Sequence, residues 1–137
     1  MKMSGKFLLD TNILIALFKH EETIIEKLSN QDNTCVTSFV TIGELYYGAF
    51  NSFKIDENLI QLEKFRQAIP ILKGSDTTSM IYGEIKTELK KKGRPIPEND
   101  IWIAATACAL EATLITTDKD FLHLSPTFIE IEFVEPL

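Results

Sequence analysis

Short apolar segments that each stop at a hydroxyl or a carboxylate, set between longer amphipathic stretches, constrain this chain more than any other feature. Phe7-Leu8-Leu9 runs into Asp10, Thr34 to Thr37 into Ser38, and Thr113 to Thr117 into Asp118. Runs this short read as buried strands, and the stretches between them carry helical periodicity. Helices are predicted over Thr11–Phe18, Glu22–Ser29, Phe39–Phe50, about Glu57–Ala68, and Ser75–Lys92. Ser38 is placed to cap the third of these. Gly93, with Pro95 and Pro97 behind it, ends the last. Ile69–Leu72 reads as a short edge strand, and Phe128–Val134 alternates as a half-exposed final strand would. Ile101–Ala112 is apolar around its whole girth, so it belongs in the interior. Strands alternating with helices imply an α/β fold whose parallel sheet is covered on both faces.

The 137 residues fit one domain, 1–137, with a single core. No apolar segment is long enough to cross a bilayer, and the apolar start of the chain stops at Asp10, too soon for a signal peptide. A cytoplasmic protein is expected. Cys35 and Cys108, isolated in apolar surroundings, are expected to be buried thiols and not a disulfide or zinc site. The net charge of -6 argues against nucleic-acid binding by overall field. That objection weakens if several acids share one cation site.

In open parallel sheets, ligands bind beyond the carboxyl ends of the strands. Asp10, Ser38 and Asp118 all follow strands there. Asp100 opens the buried helix at the same end, with Ala104 and Ala107 on its own face, small residues expected to leave open space. Glu44 lies on the Phe39–Phe50 helix away from the stripe of Phe39, Ile42, Leu45, Tyr46, Ala49 and Phe50. Taken singly, Asp10 and Asp118 are explained by helix capping, Asp100 by the helix dipole and Glu44 by an exposed helix face. Taken together, four carboxylates from distant segments would repel one another without a counter-charge. Oxygen-only clusters suit Mg²⁺ or Mn²⁺.

LLDTNILIAL, TSFVTIGELYYG, IPENDIWIAATA and LITTDKDF, in this order and spacing, resemble the PIN-domain family, specifically its VapC-like ribonuclease toxins of toxin–antitoxin pairs. The resemblance spans essentially the whole chain. It implies a three-layer α/β/α sandwich with a central parallel sheet and an acidic quartet at Asp10, Glu44, Asp100 and Asp118, with Asp120 contributing at the fourth place or substituting for Asp118 there. One or two Mg²⁺ (or Mn²⁺) ions held by Asp10, Asp100 and Asp118 would bind the scissile RNA phosphate and activate a water, which Glu44 would help orient or through which it would hold the ion. A cognate antitoxin whose tail lies near the active site, and a homodimer, are implied in the same way.

Thr11, Asn12, Ser38, Thr116 and Thr117 are short hydrogen-bonding groups beside the acids, suited to orienting them or to ordinary turn bonding. Lys86, Lys90, Lys91, Lys92 and Arg94 form the best RNA footprint, although Glu84 and Glu88 interrupt it and a solvated helix end explains it as well. Tyr46 and Tyr47 are expected in core or partner contacts more than in base stacking, and Trp102 in packing. His20 and His123 lack ligand spacing. Two competing readings remain: a phosphotransfer domain or phosphatase with Asp10 as nucleophile and Lys119 as its nearest cation, and a non-catalytic PIN-like RNA-binding module.

Overall fold

The computed structural model describes residues 5–29, 34–124 and 128–135; positions 1–4, part of the predicted start of the chain, lie outside them. Five strands form one sheet: β1 (Lys6–Leu9), β2 (Thr34–Ser38), β3 (Ile71–Leu72), β4 (Thr113–Thr116) and β5 (Glu130–Phe133). All pairings are parallel, in the order β3-β2-β1-β4-β5. The register pairs Leu8 with Val36 on one side and with Leu114 on the other, so the three central strands end together. The ladder extends past β1 through the Asp10 N–H, which donates to the Ile115 carbonyl at 3.0 Å.

Side chains alternate across each strand, and this alternation divides the core in two. Leu8, Val36 and Leu114 face one helical layer, α5 (Asp76–Lys92) and α6 (Glu98–Leu110), through Ile85, Leu89, Ile101 and Ile103. Phe7, Leu9 and Ile115 face the other, formed by α1 (Thr11–Phe18), α2 (Glu22–Ser29), α3 (Phe39–Phe50) and α4 (Ile55–Ala68). The result is the expected three-layer sandwich.

Local sequence accounts for the ends of these elements. The Ser38 hydroxyl accepts the Thr41 N–H at 3.1 Å and caps α3. Ser75 and Thr78 form a reciprocal capping box on α5. At the other end of α5 Gly93 is left-handed, φ 65°, and the Arg94 N–H reaches back to the Leu89 carbonyl. α6 is buried nearly all round, as its composition predicts. It starts earlier than its apolar run, at Glu98, because Pro97 supplies the entry and Glu98 and Asp100 suit the positive end of the dipole. Likewise α4 starts at Ile55, before the predicted Glu57, and the predicted edge strand shrinks to two residues.

Two expectations are corrected. Ala104 and Ala107 leave no open space: both are fully buried, their small size letting α6 pack closely within the core. Cys35 and Cys108 are free thiols, but only half-buried; burial still pushes both thiols upward in pKa. Among the described residues no helix is long and apolar enough to cross a membrane.

Candidate active site

The carboxyl ends of β1 and β4 stand side by side, and each continues into an acid. Asp10 occupies the N-cap position of α1, yet its side chain makes no capping bond; it is only 4% exposed. Its Oδ2 accepts the Thr116 hydroxyl at 2.7 Å. The same Thr116 oxygen accepts the Asp118 N–H at 2.9 Å. One buried hydroxyl at the end of β4 therefore fixes both acids. Asp118 does act as a cap, its Oδ1 accepting the Asp120 N–H at 2.9 Å at the start of the 3₁₀ helix Lys119–His123. The capping explanation fails for Asp10 and holds for one oxygen of Asp118.

Glu44 and Asp100 approach from opposite helical layers. Glu44, on α3, is half-buried and its Oε1 accepts the Thr11 hydroxyl at 2.8 Å. Asp100 stands in the first turn of α6, half-buried. Its carboxyl is pushed up to about 7, first by burial, then by the charges of Asp10, Asp118, Glu44 and, least, Asp120. Burial also raises Asp10, against the pull of Thr116 and the Thr11 backbone, and the charges of Glu44 and Asp118 add to the rise. The charges of Glu44 and Asp118 thus reach both Asp10 and Asp100, and Asp118 weighs on Asp100 more than Asp120 does. The four segments that carry them are brought to one edge of the sheet.

Among the described residues no three Asp, Glu, His or Cys side chains already close on a common point at ligand distance. Mg²⁺ and Mn²⁺ nonetheless suit the donor set: they prefer oxygen, and Mg²⁺ keeps several waters while taking one or two carboxylates directly. The Asp100 carboxyl, raised to about 7 first by burial and then by four neighbouring acids, marks a place where a positive charge is favoured.

The surrounding predicted groups divide. Ser38 is fully buried at the start of α3, and Thr117 is half-buried after β4. Asn12 is exposed on α1, with no side-chain bond among the described residues. Sequence alone does not single out Thr41 as a site residue. It is fully buried, its hydroxyl 3.4 Å from that of Thr11 and 3.3 Å from that of Ser38; its position three residues before Glu44 on one helix face is the available signal.

The basic cluster is smaller than its sequence suggests. Lys86 is bound to Glu98 at 2.7 Å and to the Tyr82 hydroxyl at 3.2 Å. Lys92 pairs with Glu88 at 3.6 Å and donates to the His123 carbonyl at 3.2 Å. Lys90, Lys91 and Arg94 remain exposed, at the end of α5 that leads into the first turn of α6 and Asp100. Tyr46 makes intramolecular contacts, donating to Glu63 at 2.6 Å and stacking on Phe50, whereas Tyr47 is 73% exposed. Trp102 packs as expected, stacked on Tyr82 with ring centroids 3.9 Å apart. Lys119, the cation a phosphotransfer reading needs, is exposed and makes no ion pair with Asp10 among the described residues.

Residues 7–125 match the family model described as PIN domain. The chain belongs to the PIN-domain family. Within that family it falls among the VapC nucleases. It is 37% identical over 123 residues to Ribonuclease VapC1 of Haemophilus influenzae strain R2866, covering 87% of this chain and 92% of the relative. It is 34% identical over 115 residues to the tRNA(fMet)-specific endonuclease VapC of Shigella flexneri, covering 82% and 86%. Among solved structures, a chain of VapBC2 from Rickettsia felis bound to a promoter DNA fragment superposes with a TM-score of 0.87 at 32% identity, covering 95% of this PIN domain and 99% of that chain.

Proposed function

We propose that this PIN-domain protein is an endoribonuclease toxin that hydrolyses RNA phosphodiester bonds in the cytoplasm and is silenced by a cognate antitoxin. The observation that carries the reading is the convergence of the Glu44 and Asp118 charges on Asp10 and Asp100 at one sheet edge, in a chain 34–37% identical to VapC nucleases. Asp10, Asp100 and Asp118 would hold Mg²⁺ or Mn²⁺, which supplies charge stabilisation for the phosphate and a lowered pKa for water. Glu44, through the oxygen that Thr11 leaves free, would orient the attacking water and hold the ion through it. Thr116 keeps Asp10 and Asp118 in fixed relation. Asp120 is the reserve for Asp118. Lys90, Lys91 and Arg94 bind phosphates flanking the cut.

The antitoxin reading is supported by the VapBC neighbours and by a cleft of about 410 Å³ whose lining joins Ile15, Phe18, Leu45 and Leu62 to Thr11 and Glu44. A homodimer is supported by the exposed Phe39 and Met80 at the starts of α3 and α5, and light scattering tests it.

Incubating the pure protein with total cellular RNA, with Mg²⁺ or with EDTA, and mapping new 5′ ends tests the activity. New ends that need the metal and vanish in Asp10→Asn are expected. Asp10→Asn cutting at the wild-type rate refutes the assignment. A phosphoryl adduct on Asp10 after incubation with a phosphoryl donor would favour phosphotransfer instead, and absent Mg²⁺ binding by calorimetry a non-catalytic RNA-binding module.

A further inference from the structure

We infer that Thr41 is a positioning residue for Glu44, acting through Thr11; the inference rests on the ribonuclease reading of the site. Capping of α3 uses only the Thr41 backbone N–H, donated to Ser38 Oγ at 3.1 Å. That bond survives any side chain at position 41. The Thr41 hydroxyl does something else. It is fully buried, accepts the Ser38 hydroxyl at 3.3 Å, and stands 3.4 Å from the Thr11 hydroxyl as an acceptor. Ser38 closes β2 and Thr11 follows Asp10 at the end of β1. One hydroxyl therefore joins the two strand-to-helix turns that deliver Glu44 and Asp10.

The proton count gives this junction a function. Thr11 Oγ1 has a single proton and two acceptors, Glu44 Oε1 at 2.8 Å and Thr41 Oγ1 at 3.4 Å. The shorter bond, to a charged group, takes the proton while Glu44 rests. Glu44 is thereby held by one oxygen, Oε1, which leaves Oε2 for its chemistry. When Glu44 moves toward substrate, the Thr11 proton turns to Thr41, so no buried donor is stranded. Thr41 and Glu44 lie three residues apart on one helix face, so the alternative acceptor stays on the helix beside Thr11 while the Glu44 side chain moves. A hydrophobic residue at 41 would retain the cap and the packing volume but remove both the guide and the second acceptor.

The test compares wild type with Thr41→Val and Thr41→Ser in the full chain. Its readouts are kcat and KM on an oligoribonucleotide, Mn²⁺ affinity by calorimetry, and melting temperature. Thr41→Val is expected to lower kcat and Mn²⁺ affinity by about 10- to 100-fold, the usual effect of losing an outer hydrogen-bond partner. KM should change by less than about twofold, and Thr41→Ser should restore both affected quantities. Wild-type kcat and Mn²⁺ affinity in folded Thr41→Val would overturn the inference. So would a Ser variant as impaired as Val, since that would trace the effect to the methyl group. If Thr41→Val does not fold, Thr41→Ala, which removes the hydroxyl without crowding, decides in its place. A wild-type chain that cuts no RNA would sink the ribonuclease reading, while the Mn²⁺ titrations would still settle the role of Thr41.

Discussion

Replacing Asp100 by Asn removes a charge from the point where burial and four other carboxylates act together. In the folded chain this carboxyl is raised from 3.8 to about 7. Taken at face value, its ionised form carries ~4 kcal/mol of unfavourable interaction. Asp100 is only half-buried, and solvent screening reduces the figure to ~1–2 kcal/mol. The sign comes from proton binding. Between pH ~4, where the unfolded carboxyl has ionised, and pH ~7, where the folded one does, the native state holds a proton the unfolded state has lost. Wild-type stability therefore falls as pH rises through that window and levels off above it. Asp100→Asn lacks this loss. With an unfolding entropy of ~2.1 cal/mol/K per residue, ~1–2 kcal/mol is ~3–7 °C for a chain of this size. Thermal melts in EDTA from pH 4 to pH 8 should show the variant's advantage opening across the window to that value and then holding. Mg²⁺ added at pH 8 should stabilise wild type more than the variant. An advantage independent of pH, or a variant less stable than wild type at pH 8, would refute the reasoning.

Thr116→Val strips the shared hydroxyl from Asp10 Oδ2 and the Asp118 N–H and should cost ~2–3 kcal/mol in urea unfolding, with most of it kept in Thr116→Ser; equal midpoints for Val and wild type would show the bond to be idle. His20 closes α1 in the left-handed region, φ 57°, so His20→Gly should raise the urea midpoint by the equivalent of ~1 kcal/mol with m unchanged. Replacing Lys90, Lys91 and Arg94 together by Ala should reduce the slope of log RNA affinity against log salt by about 2, measured in the uncutting Asp10→Asn background. An unchanged slope would remove these three residues from the RNA path.

How much of the fold and the site is legible in the sequence depends on the kind of signal. The strands are readable because Leu8, Val36 and Leu114 sit in apolar runs too short for helices, and each run ends where a parallel sheet exposes its carboxyl edge. Once the strands are placed, Asp10 and Asp118 have to come together, because parallel strands in register finish at one edge. Helical acids are harder. Periodicity shows only that Glu44 avoids the apolar stripe, whereas its bond to Thr11 on α1 is a contact between elements 33 residues apart. Ala104 and Ala107 mislead for the same reason: a small side chain signals either a void or a close neighbour, and only the packing of α6 against the sheet and α5 selects the second. Lys86 looks free because its partner Glu98 lies 12 residues away, and the bond from Lys92 to the His123 carbonyl, 31 residues away, is hidden in the same way. Thr41 is hidden differently, since a buried threonine on a helix is ordinary and acquires meaning only from two hydroxyls supplied by other turns. Charge at strand ends can be inferred from order along one chain, but the hydroxyls that direct that charge are chosen by contacts between elements. An acidic quartet shows what chemistry is possible, and the threonines around it determine which oxygen of each acid is left to perform it.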